Sequence, residues 1–253
     1  MTRLDRGASQ LEFVRTKDII ERHLPVGRST IVDVGGGPGR YAAWLSAIGH
    51  EVHLLDPVAI HVEQARAAAG NDQKFTAQTG DALSLPWPDG FADAAGLLDP
   101  LYHLAERDKR IKCLREALRV LKAGGILFAA SINRFVSSFE GVFKALFADP
   151  EFVKLAAHDL ETGQHLPAAG SHYFATAYFH RPEEFQDEIL KAGFSLNGLL
   201  GLEGPFWLLK EFDDIWKTNE GRTHILRLAK ELEGEPSLLG ASAHLLAVAR
   251  RPK

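Results

Sequence analysis

Four glycines in five residues, Gly35-Gly36-Gly37-Pro38-Gly39, follow the apolar run Ile31 to Val34 and precede a helical pattern that starts at Arg40. Glycine tolerates unusual backbone angles and lets a ligand lie against the main chain. The free amides and positive end of the following helix suit a carboxylate. Asp56 ends the next strand pattern, 19 residues after Gly37. An acid at that distance is positioned to accept both hydroxyls of a ribose. A nicotinamide-binding turn would use the same parts, with its third glycine at position 40, where this chain has Arg40. A tight turn without a ligand is the bland alternative, and the acid at the right distance argues against chance.

Further motifs follow in order. Val32 to Gly39 resembles motif I of the class I S-adenosylmethionine-dependent methyltransferases, and Asp56, followed by Pro57, sits where that family keeps its ribose-binding acid. Gly80-Asp81-Ala82 resembles the segment after the third strand, whose acid contacts the adenine amine. Leu97-Leu98-Asp99-Pro100-Leu101-Tyr102-His103-Leu104 resembles the motif after the fourth strand. Arg119 to Gly125 resembles the family's RVLKPGG turn, with Ala123 in place of the proline. The similarity covers roughly residues 11 to 133 and the Ala192-Gly193-Phe194 turn. It implies S-adenosylmethionine as cofactor, with Asp33, Gly35, Gly36, Gly37, Gly39, Asp56, Pro57, Gly80, Asp81, Ala82 and Leu98 as its contacts. Arg15 is the N-terminal candidate for the methionine carboxylate; a solvated arginine is the alternative.

The implied chemistry needs little from the protein. A sulfonium is already an activated methyl donor, so transfer mostly requires alignment and exclusion of water. Tyr102 and His103, just past the fourth strand, are the candidates for acceptor chemistry. Either could hydrogen-bond the acceptor, and His103 could take its proton near neutral pH. The alternatives are a helix cap or a core position for His103, and a plain turn residue for Asp99 before Pro100. The chain has neither HExxH nor CxxC, and His158, His165, His172 and His180 lack ligand spacing, so no metal site is expected and these histidines read as surface or lid residues.

The elements that must position these residues alternate. Strand patterns at Ile31–Val34, Glu51–Leu55, 75–78, Phe91–Leu98 and Ile126–Ile132 are separated by helical patterns at Arg40–Ile48, Val58–Ala69 and Glu106–Leu121. This order predicts an α/β fold with a doubly wound, mostly parallel seven-stranded Rossmann-like sheet that takes its ligand at the carboxyl ends of the strands. Gly124-Gly125 should separate the long helix from the strand after it. The basic residues of that helix (Arg107, Lys109, Arg110, Lys112, Arg115, Arg119, Lys122) alternate with acids and read as a solvated face. Ser137 and Glu140 match a capping box. Seven Phe and two Tyr between Phe135 and Phe179 fit either the core of a helical cap or an apolar acceptor pocket. The expected organisation is a cofactor-binding core at 1–133, a cap or lid insertion at 134–180, and a returning part of the core at 181–253 with a helical insert near 205–236.

Bulk properties restrict the partners. A net charge of −4 lacks the basic excess of a phosphate-tracking surface. The single cysteine, Cys113, forms no internal disulfide, which fits a reducing cytoplasm. No apolar run approaches the ~18 residues that span a membrane. The expected acceptor is a small, partly apolar molecule methylated on oxygen or nitrogen, and the protein is expected as a monomer or homodimer. Competing readings are a tRNA base methyltransferase, a cofactor-binding protein without turnover and a nicotinamide-dependent oxidoreductase.

Overall fold

The computed structural model describes residues 7–70, 75–168, 170–171 and 173–253; His172 lies outside the described residues. The first half contains α1 (Ser9–His23), β1 (Thr30–Val34), α2 (Arg40–Ala47), β2 (Glu51–Asp56), α3 (Ala59–Ala69), β3 (Thr76–Thr79), β4 (Ala92–Leu97), α4 (Pro100–His103), α5 (Arg107–Val120) and β5 (Leu121–Asn133). The second half contains α6 (Val136–Phe143), α7 (Pro150–Thr162), β6 (Gln164–His165), β7 (Ala177–His180), α8 (Pro182–Lys191), β8 (Ser195–Gly201), α9 (Phe212–Lys217), α10 (Asn219–Leu232) and β9 (His244–Arg250).

The strands of the first half are apolar on both faces: Ile31, Val32 and Val34, then Leu54 and Leu55, then Ala94, Ala95 and Leu97 are buried. Strands of that kind require cover on both sides and therefore favour parallel pairing through helical crossovers. β1 pairs in parallel with β2 and β4, β2 with β3, and β4 with β5. The order β3-β2-β1-β4-β5 reverses direction at β1, the point at which such sheets open a crevice. Past Ala130, Ile132 and Asn133 of β5 pair in parallel with Phe179 and His180 of β7, and β7 pairs antiparallel with β6. β9 pairs with both β5 and β8.

The chain divides into two compact units. One comprises His23–Ala130, Gln186–Asn197 and Ala247–Lys253 and holds the glycine turn. The other comprises Met1–Arg22, Ser131–Phe185 and Gly198–Leu246. In this second unit Leu11 of α1 packs with Phe212, Trp216, Ile225 and Ala229 of α9 and α10. α1 therefore groups with residues 131–185 and 198–246, a division other than the one drawn from sequence at 133 and 180.

Four local expectations are corrected. Gly124 and Gly125 lie inside β5 rather than before it: Ala92 faces Leu121 while Ala94 faces Ile126, so the residues between are pushed out as a bulge. Ser137 is not a cap; it lies within α6, and its hydroxyl donates to Asp159 Oδ2 at 2.5 Å. Arg110 is not on a solvated face. It is 1% exposed and makes a two-pronged pair with Glu188 at 2.8 and 2.9 Å, while its third nitrogen donates to the Leu104 and Ala105 carbonyls. His165 and His180 are buried rather than on the surface; the His165 ring stacks on Phe179 and its Nδ1 meets Asp159 Oδ2.

Candidate active site

The buried end of β1 sets the geometry. After Val34 the chain turns through Gly35, whose amide donates to the Leu55 carbonyl at 2.7 Å. Gly36 lies over the Asp33 carboxylate: a Cβ there would stand 2.6 Å from Asp33 Oδ2 and from Leu54 Cδ1. Gly37 has φ +53, and a Cβ on it would meet nothing within 4 Å. Those two glycines differ in purpose. Gly36 is required by what lies beneath it, and Gly37 by its positive φ, with open space where its Cβ would stand. Gly39 is the N-cap of α2 and supplies no side chain to cap it. The amides of the turn are already taken, those of Gly35 and Gly36 by the Leu55 carbonyl, that of Gly37 by Asp56 and that of Gly39 by the Gly36 carbonyl. The positive end suited to a carboxylate is therefore the start of α2.

Three acids meet this turn. Asp56, 4% exposed at the end of β2, accepts the Gly37 amide on Oδ2 and the Val58 amide on Oδ1, both at 2.9 Å. His61 Nδ1 approaches the same Oδ1 at 3.2 Å. Asp33 is 2% exposed and accepts the Ala42 amide, but its Oδ2 has no hydrogen-bond partner among the described residues. Burial, reinforced by the nearby charges of Asp56 and Asp99, pushes the Asp33 carboxyl up to about 7. Buried like charges with an unanswered oxygen are costly unless a cation or hydrogen-bond donor meets them. The ends of β1, β2 and the β4 segment therefore make an acidic pole beside the amide-rich turn.

The acceptor candidates follow β4. Asp99 starts α4, Oδ1 accepts the Tyr102 hydroxyl, and Oδ2 lies 3.6 Å from His103 Nε2. Tyr102 is buried at 4% exposure, whereas the His103 side chain is 43% exposed. The two rings lie 4.8 Å apart. One carboxylate thus orients both groups, a partnership the sequence left open. Pro100 packs on the turn: a Cβ at Gly35 would be 2.9 Å from its Cδ.

Other expected contacts are placed as follows. Pro57 is exposed directly after Asp56. Gly80 packs on Leu55, leaving no room for a Cβ, and its amide donates to the Asp56 carbonyl at 3.1 Å. Asp81 is exposed and folds Oδ1 back onto the Leu83 amide; Ala82 and Leu98 are half-buried. Arg15 is neither solvated nor open. It is 1% exposed in the other unit, where Asp18 and Glu233 take its guanidinium. His61 went unnoticed in the sequence, although its position in the first turn of α3, five residues after Asp56, is a usable signal.

The profile of the family described as "Methyltransferase domain" matches residues 32–129, from β1 through most of β5. Residues 32–129 are a class I S-adenosylmethionine-dependent methyltransferase domain. The acidic pole fits the cofactor of this methyltransferase, whose sulfonium and ammonium are cationic, and the positive start of α2 fits its carboxylate. Among its relatives, the ubiquinone/menaquinone biosynthesis C-methyltransferase UbiE of Zymomonas mobilis is 28% identical over 182 residues, covering 70% of this chain and 72% of that protein. UbiE of Chromobacterium violaceum is 30% identical over 150 residues, 54% of this chain and 57% of that protein. The methyltransferase GfsG of Streptomyces halstedii is 31% identical over 121 residues, 46% and 42%. The fold matches S-adenosylmethionine-dependent methyltransferases from Methanosarcina mazei (TM-score 0.64, 20% identity, 92% of this chain and 97% of the other) and Mesorhizobium loti (0.61, 21%, 95% and 100%).

One further cluster stands apart. Glu203, His244 and Glu12 form the one group among the described residues with metal-like proximity. Glu203 is already met by the Ser242 hydroxyl and by the His244 amide and Nδ1, and the His244 charge holds its carboxyl below the ordinary value. Those bonds describe an ion-paired network and do not require a metal.

Proposed function

We propose that this methyltransferase transfers the methyl group of S-adenosylmethionine to a small, partly apolar molecule, and that His103 accepts a proton from the acceptor. The carrying observation is the Asp99 carboxylate between Tyr102 and His103. A carboxylate beside an imidazole at the end of β4 leaves the ring near the place where this fold takes its ligand. The cofactor supplies an electrophilic methyl group. Asp56 binds its ribose, the start of α2 holds its carboxylate end, and Asp33 answers its positive charge. Gly80 keeps the base of Asp56 fixed, and Asp81, Ala82 and Leu98 border the adenine side.

An acceptor whose nucleophile forms by loss of a proton is what such a base serves. An oxygen or a nitrogen meets that description. So does a ring carbon activated by the loss of a hydroxyl proton, and the name C-methyltransferase borne by the UbiE relatives favours this second reading. Acceptor selection is assigned to residues 134–180, where Val142, Phe143, Phe147 and Phe174 leave apolar surface exposed. No described helix is long and apolar enough to cross a membrane. A cytoplasmic protein, monomeric or homodimeric and without a nucleic-acid partner, completes the reading. The test is turnover with carbon-13-labelled S-adenosylmethionine and a panel of phenols, amines and hydroxylated rings. Mass spectrometry would detect the methylated product, and the carbon shift of the new methyl would identify its atom. Turnover of tRNA and of no small molecule would overturn the proposal.

A further inference from the structure

The Asp56 carboxylate is more fully occupied than a ribose-binding acid should be. Each carboxylate oxygen can accept about two hydrogen bonds. Oδ2 holds the Gly37 amide and keeps a second acceptor position. Oδ1 holds the Val58 amide at 2.9 Å and His61 Nδ1 at 3.2 Å, which uses both of its positions. Because a carboxylate only accepts, Nδ1 must carry its proton toward Asp56.

Gripping two neighbouring ribose hydroxyls with one carboxylate requires a vacant position on each oxygen. Oδ1 therefore has to give up a donor. The Val58 amide is backbone at the N-cap of α3 and cannot leave without unwinding that end. The His61 side chain is 42% exposed and can turn away about its own bonds. We infer that His61 competes with one ribose hydroxyl for Asp56 Oδ1, and that its ring releases this oxygen when S-adenosylmethionine binds. This inference rests on Asp56 being the ribose-binding acid. It makes His61 a residue that weakens cofactor affinity and hides the contribution of one hydroxyl.

The experiment is calorimetric titration with S-adenosylhomocysteine and its 2′-deoxy and 3′-deoxy analogues. Wild type, His61→Ala, His61→Leu and Asp56→Asn are compared, with thermal melting to verify folding. Both His61 variants should bind S-adenosylhomocysteine roughly tenfold more tightly, the scale of one net hydrogen bond. One of the two deoxy analogues should carry a larger penalty in the His61 variants than in wild type, because the hydroxyl it lacks no longer has a competitor. Unchanged or weaker binding by both His61 variants, or equal deoxy penalties in all proteins with Asp56 intact, would overturn the inference. Unchanged binding by Asp56→Asn would instead remove the ribose reading on which it stands.

Discussion

Asp56 Oδ2 accepts the backbone amide of Gly37 at 2.9 Å, so the acid at the end of β2 and the turn at the end of β1 are one hydrogen-bonded unit. Either residue displaced disturbs the other. Asp56→Ala should weaken S-adenosylmethionine binding by about 1–3 kcal/mol, from the lost ribose contacts and the orphaned Gly37 amide. Gly37→Val should be worse. It places a branched side chain in the open space at φ +53, a region such residues rarely adopt. Equal affinities in a calorimetric titration of the three proteins would separate this unit from cofactor binding.

Asp33 gives the pH prediction. Its folded-state carboxyl stands at about 7, against 3.8 for the ordinary group, so the folded protein holds this proton more tightly than the unfolded chain does. The Asp33 contribution is therefore fully present below about pH 4 and is lost as pH rises toward 7, by up to about 4 kcal/mol. Asp33→Asn should flatten that fall in denaturant-melt stability between pH 4 and 7. A cation bound nearby favours the ionised acid, so S-adenosylmethionine binding at pH 6.5 should release protons. Calorimetry in buffers of different ionisation heat measures that release. Buffer-independent heats would show that Asp33 does not sense the cofactor's charge.

The Arg110–Glu188 pair tests what holds α8 to α5. Both partners are at least 98% buried by side chain, and four hydrogen bonds fix the guanidinium. Arg110→Ala removes the two-pronged partner of a buried carboxylate, leaving Arg107 Nε at 3.5 Å from Glu188 Oε1, and should cost about 3–5 kcal/mol. A double change, Arg110→Met with Glu188→Leu, should recover most of that loss, since a buried pair often contributes little beyond an apolar replacement. Failure of the double variant to recover stability would mean that the pair is needed for correct packing.

The turn, its acid and the order of the central strands were legible because each has a signal within a few residues: glycines in sequence, an acid at strand end, apolar runs of strand length. The central sheet and the placement of Asp33, Gly37 and Asp56 follow from those signals. Contacts that depend on a distant partner were not legible. Arg15 reads as a solvated or ligand-facing charge until Glu233, 218 residues later, is known to meet it. Arg110 sits in an alternating charge pattern that looks exposed, and only Glu188, 78 residues away, explains its burial. Ser137 carries a cap signature that loses to a buried acid, Asp159. Short strands are likewise hidden: β6 has two residues, too few for any periodicity to register.

Residues 134–180 should gain protection when acceptor and cofactor product are both present. The segment exposes Val142, Phe143, Phe147 and Phe174 on α6, the 3-10 turn at Leu146–Ala148 and the stretch before β7. If these apolar groups select the acceptor, they become buried against it, and the amides around them then open less often. Hydrogen exchange followed by mass spectrometry should show slower exchange here with both ligands than with S-adenosylhomocysteine alone. Equal exchange in both conditions would move acceptor selection elsewhere in the chain.

His103 bears the catalytic prediction. Its Nε2 lies 3.6 Å from Asp99 Oδ2, and its ring lies 4.8 Å from that of Tyr102. If it accepts the acceptor's proton, His103→Ala should lower kcat by roughly 10²–10⁴-fold with cofactor affinity unchanged. An ionisation near neutral pH should vanish from the pH profile of kcat/KM. Asp99→Asn should give a smaller loss, because the ring keeps a polar neighbour. Tyr102→Phe leaves the ring in place and removes only the hydroxyl bonded to Asp99. A role limited to orientation predicts a different pattern: a rise in the acceptor's KM with kcat nearly intact. Wild-type kinetics for His103→Ala would leave alignment with the sulfonium as the whole mechanism, which is chemically sufficient for an acceptor that is already nucleophilic.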